Sequence, residues 1–147
     1  MEFHVKPLLK QGGYSCVILD ESGAVFQSKK SGIAPLMDFI AENQSGALEA
    51  ADKVIGKSAA LLFIKMGAKR IYGEVMSEHA RKVLDAANVA YSYGKLVPYI
   101  VNRQGDGMCP MEEAVLGTDD AETAYCLLKE KLRIMRKQKG ETEHETK

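Results

Sequence analysis

The sequence predicts an α/β protein, a three-layer α/β/α sandwich whose mixed sheet opens with a β-hairpin. Three observations carry that expectation. Two short runs rich in β-branched and aromatic residues are joined by an Asp-Glu-Ser-Gly turn, extended and helical segments alternate after them, and one mid-chain segment is apolar around nearly its whole circumference. A hairpin followed by alternating strands and helices gives a mixed sheet with crossover helices, and a helix apolar all round must be covered on both sides.

The hairpin is Tyr14 to Leu19 and Ala24 to Ser28, with Asp20, Glu21, Ser22 and Gly23 between them. After Lys29 to Gly32, the run Ala34 to Glu42 places Pro35 at its start and Leu36, Phe39 and Ile40 at helical spacing, so a first helix follows. Asn43 to Gly46 breaks it. From Leu48 to Met66 the spacing predicts a second, buried helix, ended by Gly67 at the residue after its C-terminus. Arg70 to Val75 reads as a strand, and Ser77 to Ala87 as an amphipathic helix with Ser77 as its N-cap and Ala80, Val83, Leu84 and Ala87 on one face. Ala90 to Val97 is again extended, and Asn102 to Met108 is rich in turn residues. A last helix opens at Asp119, whose spacing to Glu122 resembles a capping box. It carries Ala121, Ala124, Tyr125, Leu128, Leu132 and Met135 on one face. Residues 1–139 thus form a single domain, and the polar tail Gly140 to Lys147 is expected to be disordered.

The 147 residues, 46% hydrophobic and 27% charged, suffice for one core without disulfides. Lys and Arg number 20, as do Asp and Glu, giving a formal net charge of zero and no electrostatic footprint for duplex nucleic acid. Six basic residues lie between Lys129 and Lys139, where they suit a solvated helix end. The first ten residues lack the apolar core of a secretory signal, and the run Ser58 to Met66 is too short to span a bilayer. Cys16, Cys109 and Cys126 are widely spaced and contain no Cys-x-x-Cys pair, so free thiols in a reducing, cytoplasmic setting are expected.

Four segments carry a resemblance: Gly12-Gly13-Tyr14-Ser15-Cys16-Val17, Gly32-Ile33-Ala34-Pro35-Leu36, Ala51 to Ala60 with its Asp52-Lys53-Val54-Ile55-Gly56-Lys57 core, and Asn102 to Glu112 with Gly107-Met108-Cys109-Pro110-Met111-Glu112. Over roughly residues 10 to 135 the chain resembles a family of small bacterial and archaeal proteins, a domain of unknown function in the cytidine-deaminase-like superfamily. The resemblance implies that superfamily's fold and the location of a pocket. It also implies where zinc ligands would stand: the thiolate positions fall on Met76 and His79, the first-ligand position near Asp52, and the glutamate on Lys53 or Val54. A thioether is too poor a donor for catalytic zinc, so the resemblance comes without the metal site or zinc-dependent deamination, and no cofactor is called for.

Within the implied pocket, Asp52, Lys53 and Lys57 stand at the head of the expected apolar helix, where buried charge needs a partner or a ligand. Asp52 is read either as a helix-start carboxylate paired with Lys53 or Arg103, or as a ligand contact. Gly56, at mid-helix in this reading, would cost about 1 kcal/mol against alanine and points to a close approach of another backbone or a ligand, or to packing only. Gly105 and Gly107 could bring backbone N–H groups to a bound group, with Arg103 beside them, although the pattern lacks the rest of a nucleotide-binding fingerprint. Cys109 at an N-cap before Pro110 is the best nucleophile or redox candidate, opposed by Glu112 and Glu113 in the same turn, and equally reads as a packed thiol. His79 faces the pocket or is simply hydrogen-bonded on its helix. Tyr91, Tyr93 and Tyr99 line a ligand surface or fill a sheet face.

Three readings follow. The first is a zinc-independent domain that binds a polar small molecule, a nucleotide or nucleoside derivative. The second is an enzyme or redox protein dependent on Cys109. The third is a structural or regulatory subunit that pairs two copies.

Overall fold

The computed structural model describes residues 3–42 and 46–145, with side chains to residue 138. Its elements are α1 (Val5–Gly12), β1 (Cys16–Asp20), β2 (Val25–Ser28), α2 (Ala34–Glu42), β3 (Ala47–Ile55), α3 (Lys57–Lys65), β4 (Arg70–Ser77), α4 (Glu78–Ala86), β5 (Ala90–Val97), α5 (Pro110–Ala114) and α6 (Ala121–Glu145). Five strands form one open mixed sheet in the order β2-β1-β3-β4-β5. The β1 strand is antiparallel to both its neighbours, and β3, β4 and β5 run parallel. The expected three-layer α/β/α class is therefore met: α1 covers one face, and the crossover helices with α6 pack on the other.

The hairpin, α2, β4, α4 and β5 form where the residue pattern places them, and Ser77 caps α4 by accepting from the Ala80 N–H at 3.1 Å. The segment from Leu48 to Met66 does not. Its first part is the central strand β3, and only Lys57–Lys65 is helix. Leu48-Glu49-Ala50-Ala51-Asp52-Lys53 consists of good helix formers, but pairing on both edges with β1 and β4 overrides local propensity. A strand buried on both faces also loses the alternation that would have identified it. Consequently Asp52 and Lys53 lie on a strand, and Gly56 lies at the strand-to-helix junction rather than inside a helix.

The α1 helix was not expected. Val5 and Leu9 are buried one turn apart, Pro7 is tolerated in the first turn, and Gly13 closes the helix at φ 68°. The buried Glu49 of β3 caps it from a distance, accepting from the His4 N–H at 2.6 Å and holding Arg70 at 3.2 Å. The last helix is capped by Asp120, not Asp119: its Oδ2 accepts from the Thr123 N–H at 2.8 Å. Helix α6 runs through Glu145, across most of the expected tail. Residues 146–147 of that tail lie outside the described residues, as do 43–45 of the Asn43 to Gly46 break.

The larger core gathers Ile18, Leu36, Phe39, Phe63, Leu84 and Leu128 around α3. A smaller one, Val5, Leu9, Val17, Ala51 and Tyr72, lies under α1. Ala50 and Ile55 both belong to the larger core, as do Ile71 and Met76, although residues five apart on a regular strand face opposite ways. The ladders accommodate this by passing from Asp52↔Gly73 directly to Val54↔Val75, and from Gly73↔Tyr93 to Val75↔Lys95. A Cβ on Gly94 would stand 2.8 Å from the Glu74 carbonyl oxygen, so this row is tightly closed. Val54 beyond this row is exposed, and Asp52 is the last buried residue of β3 before it.

Candidate functional site

At the C-terminal end of β3 the chain turns through Gly56 into α3, and α5 closes over this junction. Between them is a cavity of about 260 Å³. Its polar walls are Asp52 from β3, Ser58 from the first turn of α3, Cys109 and Glu112 from α5, and Ser15 and Ser31 from the loops around the hairpin. Ile33, Val54, Ile100 and Met111 supply apolar surface.

Asp52 and Glu112 are both buried, at 4% and 1% exposure. The Val54 N–H donates to Asp52 Oδ1 at 3.3 Å, and the Ile100 N–H donates to Glu112 Oε2 at 2.9 Å. Asp52 Oδ2 and Glu112 Oε1 are buried without a hydrogen-bond partner. Burial pushes the Asp52 carboxyl well above the usual carboxylate range, against the smaller pull of backbone N–H groups and of Cys16. Cys16, paired across the ladder with Asp52, has its thiol pushed up by burial first and by the Asp52 charge second.

Gly56 is required by contact, not by backbone conformation: it is extended at φ −91°, ψ −175°, and an added Cβ would lie 2.6 Å from Glu112 Oε2 and 2.9 Å from Ile100 Cγ1. The close approach at Gly56 is made by side chains, the Glu112 carboxylate and Ile100, and not by the backbone or ligand expected there. The N–H groups of the first turn of α3 have no carbonyl of their own helix to bind.

The other candidates are distributed differently. Lys53 is exposed on the cavity wall. Lys57 points elsewhere: its Nζ donates to the Leu116 carbonyl at 3.0 Å and pairs with Asp119 at 2.9 Å, tying α3 to the connection before α6. With His79 and Lys82 it lines a second cavity, of about 370 Å³. Cys109 and His79 therefore line different cavities. Arg103 is exposed and donates to Ser31 Oγ at 3.2 Å, which places it beside the first cavity. Among the described residues neither it nor Lys53 forms an ion pair with Asp52.

Gly105 and Gly107 do not line the cavity, and their loop is committed to itself. Asn102 Oδ1 accepts from the N–H groups of Gly105 at 2.8 Å and Asp106 at 3.2 Å, while the Asn102 N–H donates to the Gly107 carbonyl at 2.8 Å. An Asx side chain thus takes the donors that a phosphate cradle would need. Cys109 caps α5 with Pro110 as its first residue, but its side chain makes no capping bond. Tyr91 and Tyr93 stack at 6.4 Å, and the Tyr91 hydroxyl donates to Asp85 at 2.7 Å, away from the cavity. Among the described residues no group of three His, Cys, Asp or Glu side chains could hold a metal ion, and no helix is long and apolar enough to cross a membrane.

Ser15, Ser31, Ser58 and Ile100 were not singled out from the sequence. Three of them are serines, whose spacing carries no periodic signal. Yet Ser15 and Ser58 lie inside the four segments that carry the family resemblance, and every lining residue except Ser31 and Ile100 comes from those segments. Segments separated by up to about ninety residues of chain converge on one cavity.

Fold and site together define an open-sheet α/β domain with a carboxylate-walled cavity at the C-terminal end of its parallel strand β3, the end at which such sheets commonly hold ligands. The chain belongs to the DUF1893 family: the model described as TM1506, domain of unknown function (DUF1893), matches residues 4–132. It is similar to the crystal structure of a DUF1893 family protein (TM1506) from Thermotoga maritima, with 28% identity and a TM-score of 0.73 over 86% of this chain and 84% of that one. No curated protein matches.

Proposed function

We propose that the chain is a zinc-independent binding domain on a cytidine-deaminase-like scaffold, holding a polar small molecule of the nucleoside or nucleotide class in the cavity between β3, α3 and α5. The observation that carries the reading is the convergence of the four family segments on a cavity whose two buried carboxylates each keep an unpartnered oxygen. Unsatisfied buried polar atoms are uncommon and costly, and a site that binds ligand is a physical reason for them. The scaffold reading is supported by the element order, an antiparallel hairpin followed by β3-α3-β4-α4-β5. The zinc-independent reading is supported by donor chemistry: Met76 is a thioether buried in the core, and His79 lines the other cavity.

Two-dimensional NMR titration of the whole chain with cytidine, guanosine and their 5′-monophosphates tests this. Binding should move the amides of Ser15, Ser31, Gly56 and Ser58 together and slow alkylation of Cys109 without affecting the exposed Cys126. Shifts confined to other surfaces, or none at millimolar ligand, would overturn it.

A further inference from the structure

We propose that the occupant is a planar nitrogen base bound through a hydrogen-bond donor edge, an amidine-like N–H/NH2 face that supplies Asp52 and Glu112 with the partners they lack. This rests on the reading of the cavity as a binding site and specifies which edge of the ligand it recognises.

Donor and acceptor supply decides which edge fits. Glu112 Oε1 and Asp52 Oδ2 can each accept a hydrogen bond and have none. Burial favours the neutral form of Asp52, and a donor edge, above all a cationic one, offsets that burial and draws the accepting carboxylate form. The protein's own cations are not inside to serve: the Lys57 ammonium is committed to Leu116 and Asp119, and Arg103 is exposed beside Ser31. The Asn102 turn takes the backbone N–H groups of Gly105 and Asp106. An acid group placed within the cavity would lie against the Glu112 side chain and gain no cation. Any phosphate on the ligand therefore belongs at the mouth, beside Lys53 and Arg103. The rest of the lining, Ile33, Val54, Ile100 and Met111, suits the faces of a flat ring. A volume of about 260 Å³ admits a base-sized group. It is below the roughly 300–1,000 Å³ usual for larger ligands.

Shape-matched probes separate donor from acceptor recognition. Benzamidine, benzamide and benzoate share one outline and differ in whether their polar end donates, does both, or accepts; guanosine and inosine differ by one amino group. Titration calorimetry on the wild-type chain should rank benzamidine at least tenfold tighter than benzamide and benzoate weakest, with guanosine tighter than inosine. Hydrogen bonds to charged groups are worth about ten- to a hundredfold in affinity. Glu112→Gln and Asp52→Asn should each erase most of the benzamidine preference. If either variant fails to fold, the wild-type ranking decides. Equal binding of benzoate and benzamidine at the cavity, or a preference that survives both substitutions, would overturn the donor-edge assignment and leave the binding site standing. If no probe moves the cavity amides at millimolar concentration, both fall.

Discussion

At the scale of single residues, Asp52 makes a specific demand on pH. Burial raises its folded-state pKa above the unfolded value of about 3.9. Between that value and the raised one the folded chain holds a proton that the unfolded chain has released. Stability from this group is therefore complete below about pH 4 and falls as pH rises toward the folded pKa. Asp52→Asn keeps an oxygen for the Val54 N–H and removes the titration. Its melting temperature should exceed that of the wild type by about 4 °C at pH 7.5, with the two converging near pH 4. Parallel melting curves across that range would show that Asp52 contributes no such slope. Gly56 makes a second demand, through its 2.6 Å approach to Glu112. Gly56→Ala overpacks the junction and should cost about 1–3 kcal/mol, measured by urea denaturation. Because the collision is with one carboxylate, adding Glu112→Asp, one methylene shorter, should restore part of the loss. Strict additivity of the two changes would place the cost elsewhere.

At the scale of elements, what was legible in the sequence depended on whether one residue pattern had one structural answer. The amphipathic α4, with a serine cap and one apolar stripe, did; so did the hairpin, with its Asp-Glu-Ser-Gly turn. The β3 strand did not, because Leu48 to Lys53 is made of helix formers and its strand identity comes from ladders to β1 and β4. That one misreading displaced the site: it set Asp52, Gly56 and Lys57 on one helix, whereas the strand-to-helix turn sends Asp52 and Lys57 to different cavities. Cys109, Glu112, Asp52 and Gly56 remained together because the family segments meet in space; the serines and Ile100 had no sequence signal strong enough to find them. The α1 helix was missed for a related reason, since what anchors it is not local. Its capping acceptor is Glu49, forty-five positions away and fully buried. Glu49→Ala strands the α1 N–H groups and Arg70 together and should cost about 3 kcal/mol. Hydrogen exchange should accelerate first at residues 5–12. Unchanged protection there would mean that Val5 and Leu9 alone hold α1.

At the scale of the whole molecule, the sheet separates two cores of unequal size. On one side α3 packs against α2, α4, α5 and α6, and its residues Leu61, Leu62 and Phe63 have no exposed surface. On the other, α1 covers β1, β3 and Tyr72 of β4 through Val5, Leu9 and their few partners. Opening α1 uncovers that small cluster and leaves the larger core closed, whereas freeing α3 dismantles nearly every helix contact. Local opening costs less than global unfolding wherever few buried contacts are lost. Native-state hydrogen exchange in increasing urea should therefore resolve two groups. Amides of α1 should exchange through a low-energy opening with little urea dependence, and those of α3 and β3 only through global unfolding with the full denaturant slope. The cavity lies on the α3 side, with α3, α5 and β3 as its walls, so ligand should raise protection of the second group and leave the α1 opening unchanged. A single isotherm shared by α1 and α3 at all urea concentrations would show that the two cores unfold as one, and that α1 is as much a part of the framework around the cavity as α3.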